Sequence, residues 1–65
     1  MFKNKFTLLN KDWVVITKYK SRVKPNEGEY IYVGENKQYY KVIKVIHSIK
    51  PLKQIILVVE EVKNF

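Results

Sequence analysis

Tyr39-Tyr40-Lys41-Val42-Ile43-Lys44-Val45-Ile46-His47 is the stretch of this chain densest in aromatic and β-branched residues, and whether it forms strand or helix decides the fold. Its apolar residues, with Ile49 beyond it, fall at 39, 40, 42, 43, 45, 46 and 49, which is not strict alternation. Positions 39, 42, 43, 46 and 49 would line one stripe of a helix. Composition argues the other way. Val, Ile and Tyr suit a pleated, half-buried surface, and the strong helix formers Ala, Leu, Glu and Met are missing from the stretch. A β-bulge near Ile43–Lys44 reconciles the pattern with a strand. One extra residue there puts Tyr40, Val42, Val45 and His47 on a common face despite the change of parity. Bulges also bend strands, so the expectation is a long, bent, central strand from Lys37 to about Ser48 that curls a small sheet toward a barrel.

The remaining segments supply neighbours for it. Phe2 to Leu9 reads as a first strand, and Asn10-Lys11-Asp12 as a turn, because Asn and Asp bond their own backbone and tolerate left-handed geometry. Trp13 to Tyr19 reads as a second strand. Trp13, Val15, Thr17 and Tyr19 would lie on one face and Val14, Ile16 and Lys18 on the other, and its run of large apolar residues predicts burial on both faces at its start. Lys20 to Gly28 is the longest loop, closed by Pro25-Asn26-Glu27-Gly28, where glycine is free to take positive φ. Glu29 to Val33 alternates, with Ile31 and Val33 inward and Tyr30 and Tyr32 outward. Gly34-Glu35-Asn36 is a hairpin turn. Ile49 to Lys53 turns the chain at Pro51, and Gln54 to Val62 is apolar enough to lie between two neighbours. Lys63 to Phe65 frays, with Phe65 able to dock on the core. The expected fold is a single all-β domain over residues 1–65, a small five-stranded antiparallel sheet, strongly curved or closed into a barrel of SH3-like or OB-like type.

Sixty-five residues allow one small core and little to spare for a deep pocket. Cysteine is absent, so disulfides and thiolate chemistry are excluded, and a cytoplasmic setting in a bacterial or infected host cell is the expectation. The basic opening is cut short by Asn10, Lys11 and Asp12 and does not read as a signal peptide. One histidine, two serines and scattered acids offer no nucleophile–base pair and no metal-ligand spacing, and two glycines cannot build a phosphate loop. His47 and Ser48, as strand neighbours, point to opposite faces. No enzyme activity and no cofactor are expected, and His47 reads as a structural residue at a rim or turn.

What stands above background is charge combined with tyrosine. The formal charge is +7, with thirteen basic residues of which twelve are lysine. Residues 1–24 hold seven bases and one acid, residues 25–36 three acids and no base, and residues 37–53 five bases and no acid. Such segregation builds a field on a folded surface. The aromatic content exceeds what so small a core encloses, so some tyrosines lie outside among lysines. Rings that stack on bases beside ammonium groups that track phosphates are how small barrels hold single strands. The expected contacts are Lys18, Lys20, Arg22, Lys24, Lys37, Lys41 and Lys44 to phosphate, with Tyr30 and Tyr32 stacking on bases of single-stranded RNA or DNA. The alternative is a protein-binding module, such as a phage-encoded inhibitor or adaptor that binds a host protein. It would use Tyr19, Tyr30 and Tyr32 around the loop, with Glu27, Glu29 and Glu35 turned to a basic partner.

The residues Pro25-Asn26-Glu27-Gly28-Glu29-Tyr30-Ile31-Tyr32-Val33 and Tyr40-Lys41-Val42-Ile43-Lys44-Val45-Ile46-His47 carry a resemblance. The order of proline, Gly-Glu, an alternating strand and Tyr-x-Val-x-x-Val-x-His resembles small β-barrel proteins of bacteria and their phages, over roughly residues 25–62. That resemblance implies no activity transferable residue by residue. The same region is similar to the β-barrel domains of translation factors, which would imply an RNA or ribosome partner.

Overall fold

The structure is a computed structural model that describes residues 3–63, and its elements are β1 (Asn4–Leu9), β2 (Val15–Ser21), β3 (Tyr30–Val33), β4 (Gln38–Ser48) and β5 (Gln54–Val62). They form one curled, half-barrel sheet in the order β2-β1-β5-β4-β3. The all-β, five-stranded reading therefore holds. Phe2 and Phe65, to which roles in the first strand and the core were assigned above, lie outside the described residues.

The bulge in β4 is where the sequence places it. Val42 pairs with Val59 and Lys44 with Val58, leaving Ile43 without a partner in the ladder. On either side of it Tyr40, Val42, Val45 and His47 keep one face, so Val45 stands opposite Leu57 and His47 opposite Ile55. A second bulge, which the sequence pattern did not reveal, lies in β2. Leu8 pairs with Thr17 and Leu9 with Val15, so Ile16 is the extra residue. Two bulges on strands to either side of the β1–β5 pair bend the sheet so that all five strands face a common core. Phe6, Leu8, Val33, Tyr40, Val42, Ile55, Leu57 and Val59 form it, with Ile16, Tyr19, Ile31 and Val45 packed at its margin.

Three expectations are corrected. The sheet is mixed, because β1 and β5 pair parallel, Phe6 beside Ile55 and Leu8 beside Leu57. That contact joins two antiparallel units, β1–β2 and β3–β4–β5, into one sheet. The centre of the sheet is β5, whereas β4 lies one strand from the edge; β4 supplies length and bend, β5 the apolar run buried between two neighbours. Finally, β2 begins at Val15 instead of Trp13. Asn10 accepts from Asp12 N at 2.8 Å and from Val14 N at 3.0 Å through its Oδ1, which ties off the turn. Trp13 N donates to Asn10 O at 3.0 Å, and Trp13 takes φ 64°. Because β1 ends opposite Val15, only the Asn10 turn lies against Trp13 and Val14, and both are exposed where burial was expected.

The other turns follow their residues. Glu29 N donates to Asn26 O at 3.0 Å with Gly28 at φ 92°, the left-handed position that proline and glycine predicted. In the β3–β4 hairpin Lys37, not Gly34, takes the left-handed position, at φ 51°, and donates from its N to Gly34 O at 3.3 Å. The Ile49–Lys53 turn contains a cis Lys50–Pro51 bond, and Ser48 Oγ donates to Leu52 O at 3.1 Å across it.

Candidate functional site

The alternation of β3 settles where its tyrosines go. Ile31 and Val33 pack inward, and Tyr30 and Tyr32 stand on the outer face, 53% and 52% exposed. Across the β3–β4 ladder Tyr32 faces Tyr39 and Tyr30 faces Lys41. The Tyr32 and Tyr39 rings lie 4.7 Å apart at 46°, a tilted pair, and Tyr39 is itself 42% exposed. Three tyrosines and one lysine thus share one patch on the outer face, with Lys44 further along β4 on the same side of the sheet. Two tyrosines are withdrawn from that surface. Tyr19, a candidate in the protein-binding reading, stacks on Phe6 with ring centroids 5.0 Å apart, and its burial pushes the phenol above its ordinary value. Tyr40 is buried, and its hydroxyl accepts from Asn36 Nδ2 at 3.2 Å.

The lysines divide into groups. Lys18 and Lys20 are on the outer face of β2, opposite Thr7 and Lys5. In sheet order they are far from the tyrosines, separated by β1 and β5 and by a small apolar strip that includes Leu9 and Val58. The curl brings the two edges of the sheet round toward each other, and Lys18 and Tyr32 line the same cleft of about 350 Å³ between β2 and β3. No Cα of β2 comes within 8 Å of a Cα of β3, so this seam is open. Lys37 sits in the hairpin turn next to Glu35 and Asn36, at the opposite end of the barrel from Arg22 and Lys24, which follow β2. The predicted contacts therefore do not form one continuous surface: Tyr30, Tyr32, Lys41 and Lys44 do, Lys18 joins across the seam, and Lys20, Arg22 and Lys24 belong to the lower end. Glu27 and Glu29 are separated from Glu35 by the length of β3, so the acidic patch of the alternative reading is divided.

Glu60 intrudes on the tyrosine–lysine patch. It pairs with Lys41 across the β4–β5 ladder and accepts an ion pair from Lys11 Nζ at 2.8 Å. The hydrogen bond from Lys11, with its charge, holds the Glu60 carboxyl below the usual carboxylate range, and Lys41 adds to the effect. The same bond raises Lys11 above the ordinary ammonium value.

At the lower end the topology assembles basic side chains that sequence spacing could not connect. The starts of β1 and β5, the end of β4 and the loop after β2 bring Lys3, Lys5, Lys24, Lys53 and His47 around one recess of about 520 Å³. Only Lys24 among these was expected to contribute. The corresponding recess at the upper end is lined by Asp12, Glu60 and Glu61 with Lys11. The lower recess is thus lined by bases without acids and the upper one mainly by acids, although Glu27 and Glu29 of the acidic run lie toward the lower end.

Among the described residues no three His, Asp or Glu side chains cluster as a metal site, and no helix is long and apolar enough to cross a membrane. Comparison of the chain with family models, with curated proteins and with solved structures returned no match.

Proposed function

We propose that the protein is a non-enzymatic binding module that holds single-stranded nucleic acid on the outer face of β3 and β4. The observation that carries this reading is the exposed group Tyr30, Tyr32 and Tyr39 with Lys41 paired beside it. Aromatic rings give sequence-tolerant stacking platforms, and lysines act on phosphate as point charges without demanding a fixed geometry. Bases stack on Tyr30 and Tyr32 while the backbone runs past Lys41 and Lys44, with Lys18 reaching in from the far side of the seam. A mobility-shift assay with short RNA and DNA strands tests it. Tyr30→Ala and Tyr32→Ala should each cost about 1–3 kcal/mol of binding, about 5- to 150-fold in Kd. Both positions are half exposed, so thermal melts that stay within a few degrees of the parent separate lost stacking from lost folding. Loss on lysine removal alone, with the tyrosine variants unchanged, would reduce the interaction to nonspecific attraction.

The open seam favours a second reading. Edge strands β2 and β3 run antiparallel to each other and more than 8 Å apart, whereas paired strands lie about 4.8 Å apart. A strand from a partner protein that paired along either edge would use main-chain hydrogen bonds for affinity. It would slow amide exchange at alternate positions of β2 or β3. Nucleic acid on the outer face would leave those rates unchanged.

A further inference from the structure

We infer that the recess at the lower end of the barrel is a phosphate-group site, and that it receives the phosphorylated end of a bound strand. The second clause rests on the nucleic-acid reading; the first does not. The recess is walled by Lys3, Lys5, Lys24, Lys53 and His47, and no carboxylate lines it. Among the described residues none of these five side chains forms an ion pair; the ion pair there is Lys11–Glu60, at the other end of the molecule. Lys5 also stands directly opposite Lys20 across the β1–β2 ladder, a like-charge pairing that disfavours the sheet it sits in. Folding thus gathers cations from three separate parts of the sequence and leaves their mutual repulsion uncompensated. A bound anion relieves that repulsion, and a recess with cationic walls concentrates field on whatever enters it.

The chemistry selects the anion. Ammonium groups at several angles suit a multiply charged, near-spherical group, whereas a planar carboxylate is matched best by the arginine fork, and Arg22 is not part of the lining. A terminal phosphate carries close to two negative charges at neutral pH, against one on an internal phosphodiester. The volume exceeds that of a phosphate group, and buried Ile55 together with the His47 ring offers apolar surface to the adjoining sugar or base. Asn4, also in the lining, supplies a neutral amide donor.

Two measurements on the full chain at low salt test this. In the first, pyrophosphate is titrated while amide resonances are followed by NMR. The expected shifts centre on His47, Ser48, Lys53 and Gln54 and disappear in the Lys24→Gln/Lys53→Gln double variant. In the second, the Kd of one oligonucleotide is compared with and without a terminal phosphate. The phosphorylated strand should bind at least several-fold tighter. That preference should vanish in the double variant and weaken in His47→Gln, and Tyr32→Ala should lower both affinities by the same factor. Pyrophosphate shifts at the recess without any strand binding would sustain the phosphate site and sink the nucleic-acid reading. Strand binding that ignores the terminal phosphate, with no pyrophosphate shifts at the recess, would overturn the inference and leave the nucleic-acid reading standing. A terminal-phosphate preference that survives in the double variant would also overturn it. The substituted lysines are exposed and their removal relieves repulsion, so the double variant should melt at or slightly above the parent temperature.

Discussion

Deleting Ile43 should leave every strand pairing in place. With Ile43 gone, Val42 remains opposite Val59, Lys44 opposite Val58 and Val45 opposite Leu57, now in an unbroken ladder. No side chain changes face. What is lost is the half-buried Ile43 side chain and the local bend. Full burial of an isoleucine is worth about 1.5–3 kcal/mol, so half burial sets the first loss near 1 kcal/mol. Deleting Val45 has a different consequence. The bulge closes in the same way, but Lys44 now occupies the row opposite Leu57, which is fully enclosed. The variant loses the packing of Val45 and turns an unpaired ammonium toward the core, together a loss of several kcal/mol. A chain of this size has roughly 3–10 kcal/mol of stability in all. The deletion of Ile43 should therefore shift the urea midpoint and keep a dispersed NMR spectrum, while the deletion of Val45 should give an unfolded one. Equal destabilisation of the two, or a folded Val45 deletion beside an unfolded Ile43 deletion, would refute the bulge as the device that sets the register of β4.

Other perturbations probe single features. Trp13→Gly removes a largely exposed side chain from a left-handed position that costs an L-residue about 1–2 kcal/mol, so urea unfolding followed by circular dichroism should show a gain of up to about 1 kcal/mol. Gly28→Ala meets no atom within 4 Å, so its cost is the backbone alone, about 1–2 kcal/mol by the same assay. Burial raises the Tyr19 phenol above its unfolded value, so the stability it confers is complete below about pH 10 and is lost as pH rises through the folded value. Alkaline melts should accordingly fall less steeply for Tyr19→Phe than for the parent. Glu60→Gln frees Lys11 and Lys41 from the carboxylate between them, and fluorescence anisotropy should report several-fold tighter binding of a single strand at low salt.

Much of this architecture could be read in the residues, and the parts that could not share a cause. The bulge was legible because Tyr40, Val42, Val45 and His47 break alternation once and then resume it. The outward tyrosines were legible because β3 alternates strictly. The bulge at Ile16 was hidden by the apolar run around it, which offers no polar residue to mark a change of parity. The same run made Trp13 and Val14 look buried, since hydrophobicity alone does not reveal that β1 stops short of them. The parallel β1–β5 contact depends on which strands become neighbours, and local pattern says nothing of that. For the same reason the lower recess is not legible in the sequence: Lys3, Lys24, His47 and Lys53 are brought together only by strand order and the curl of the sheet.

We propose that the tyrosine–lysine face of β3 and β4 binds single-stranded nucleic acid, and a salt series of anisotropy titrations reads that binding out as a slope. Each phosphate neutralised on a single strand contributes about −0.7 to the slope of log K against log salt concentration. Lys18, Lys41 and Lys44 together predict a slope near −2, and a steeper one if the lower recess also engages the strand. Tyr32→Ala should lower affinity while leaving that slope unchanged, because stacking releases no counterions. Absence of any complex at low salt, for a chain of charge +7, would rule out nucleic-acid binding by this face.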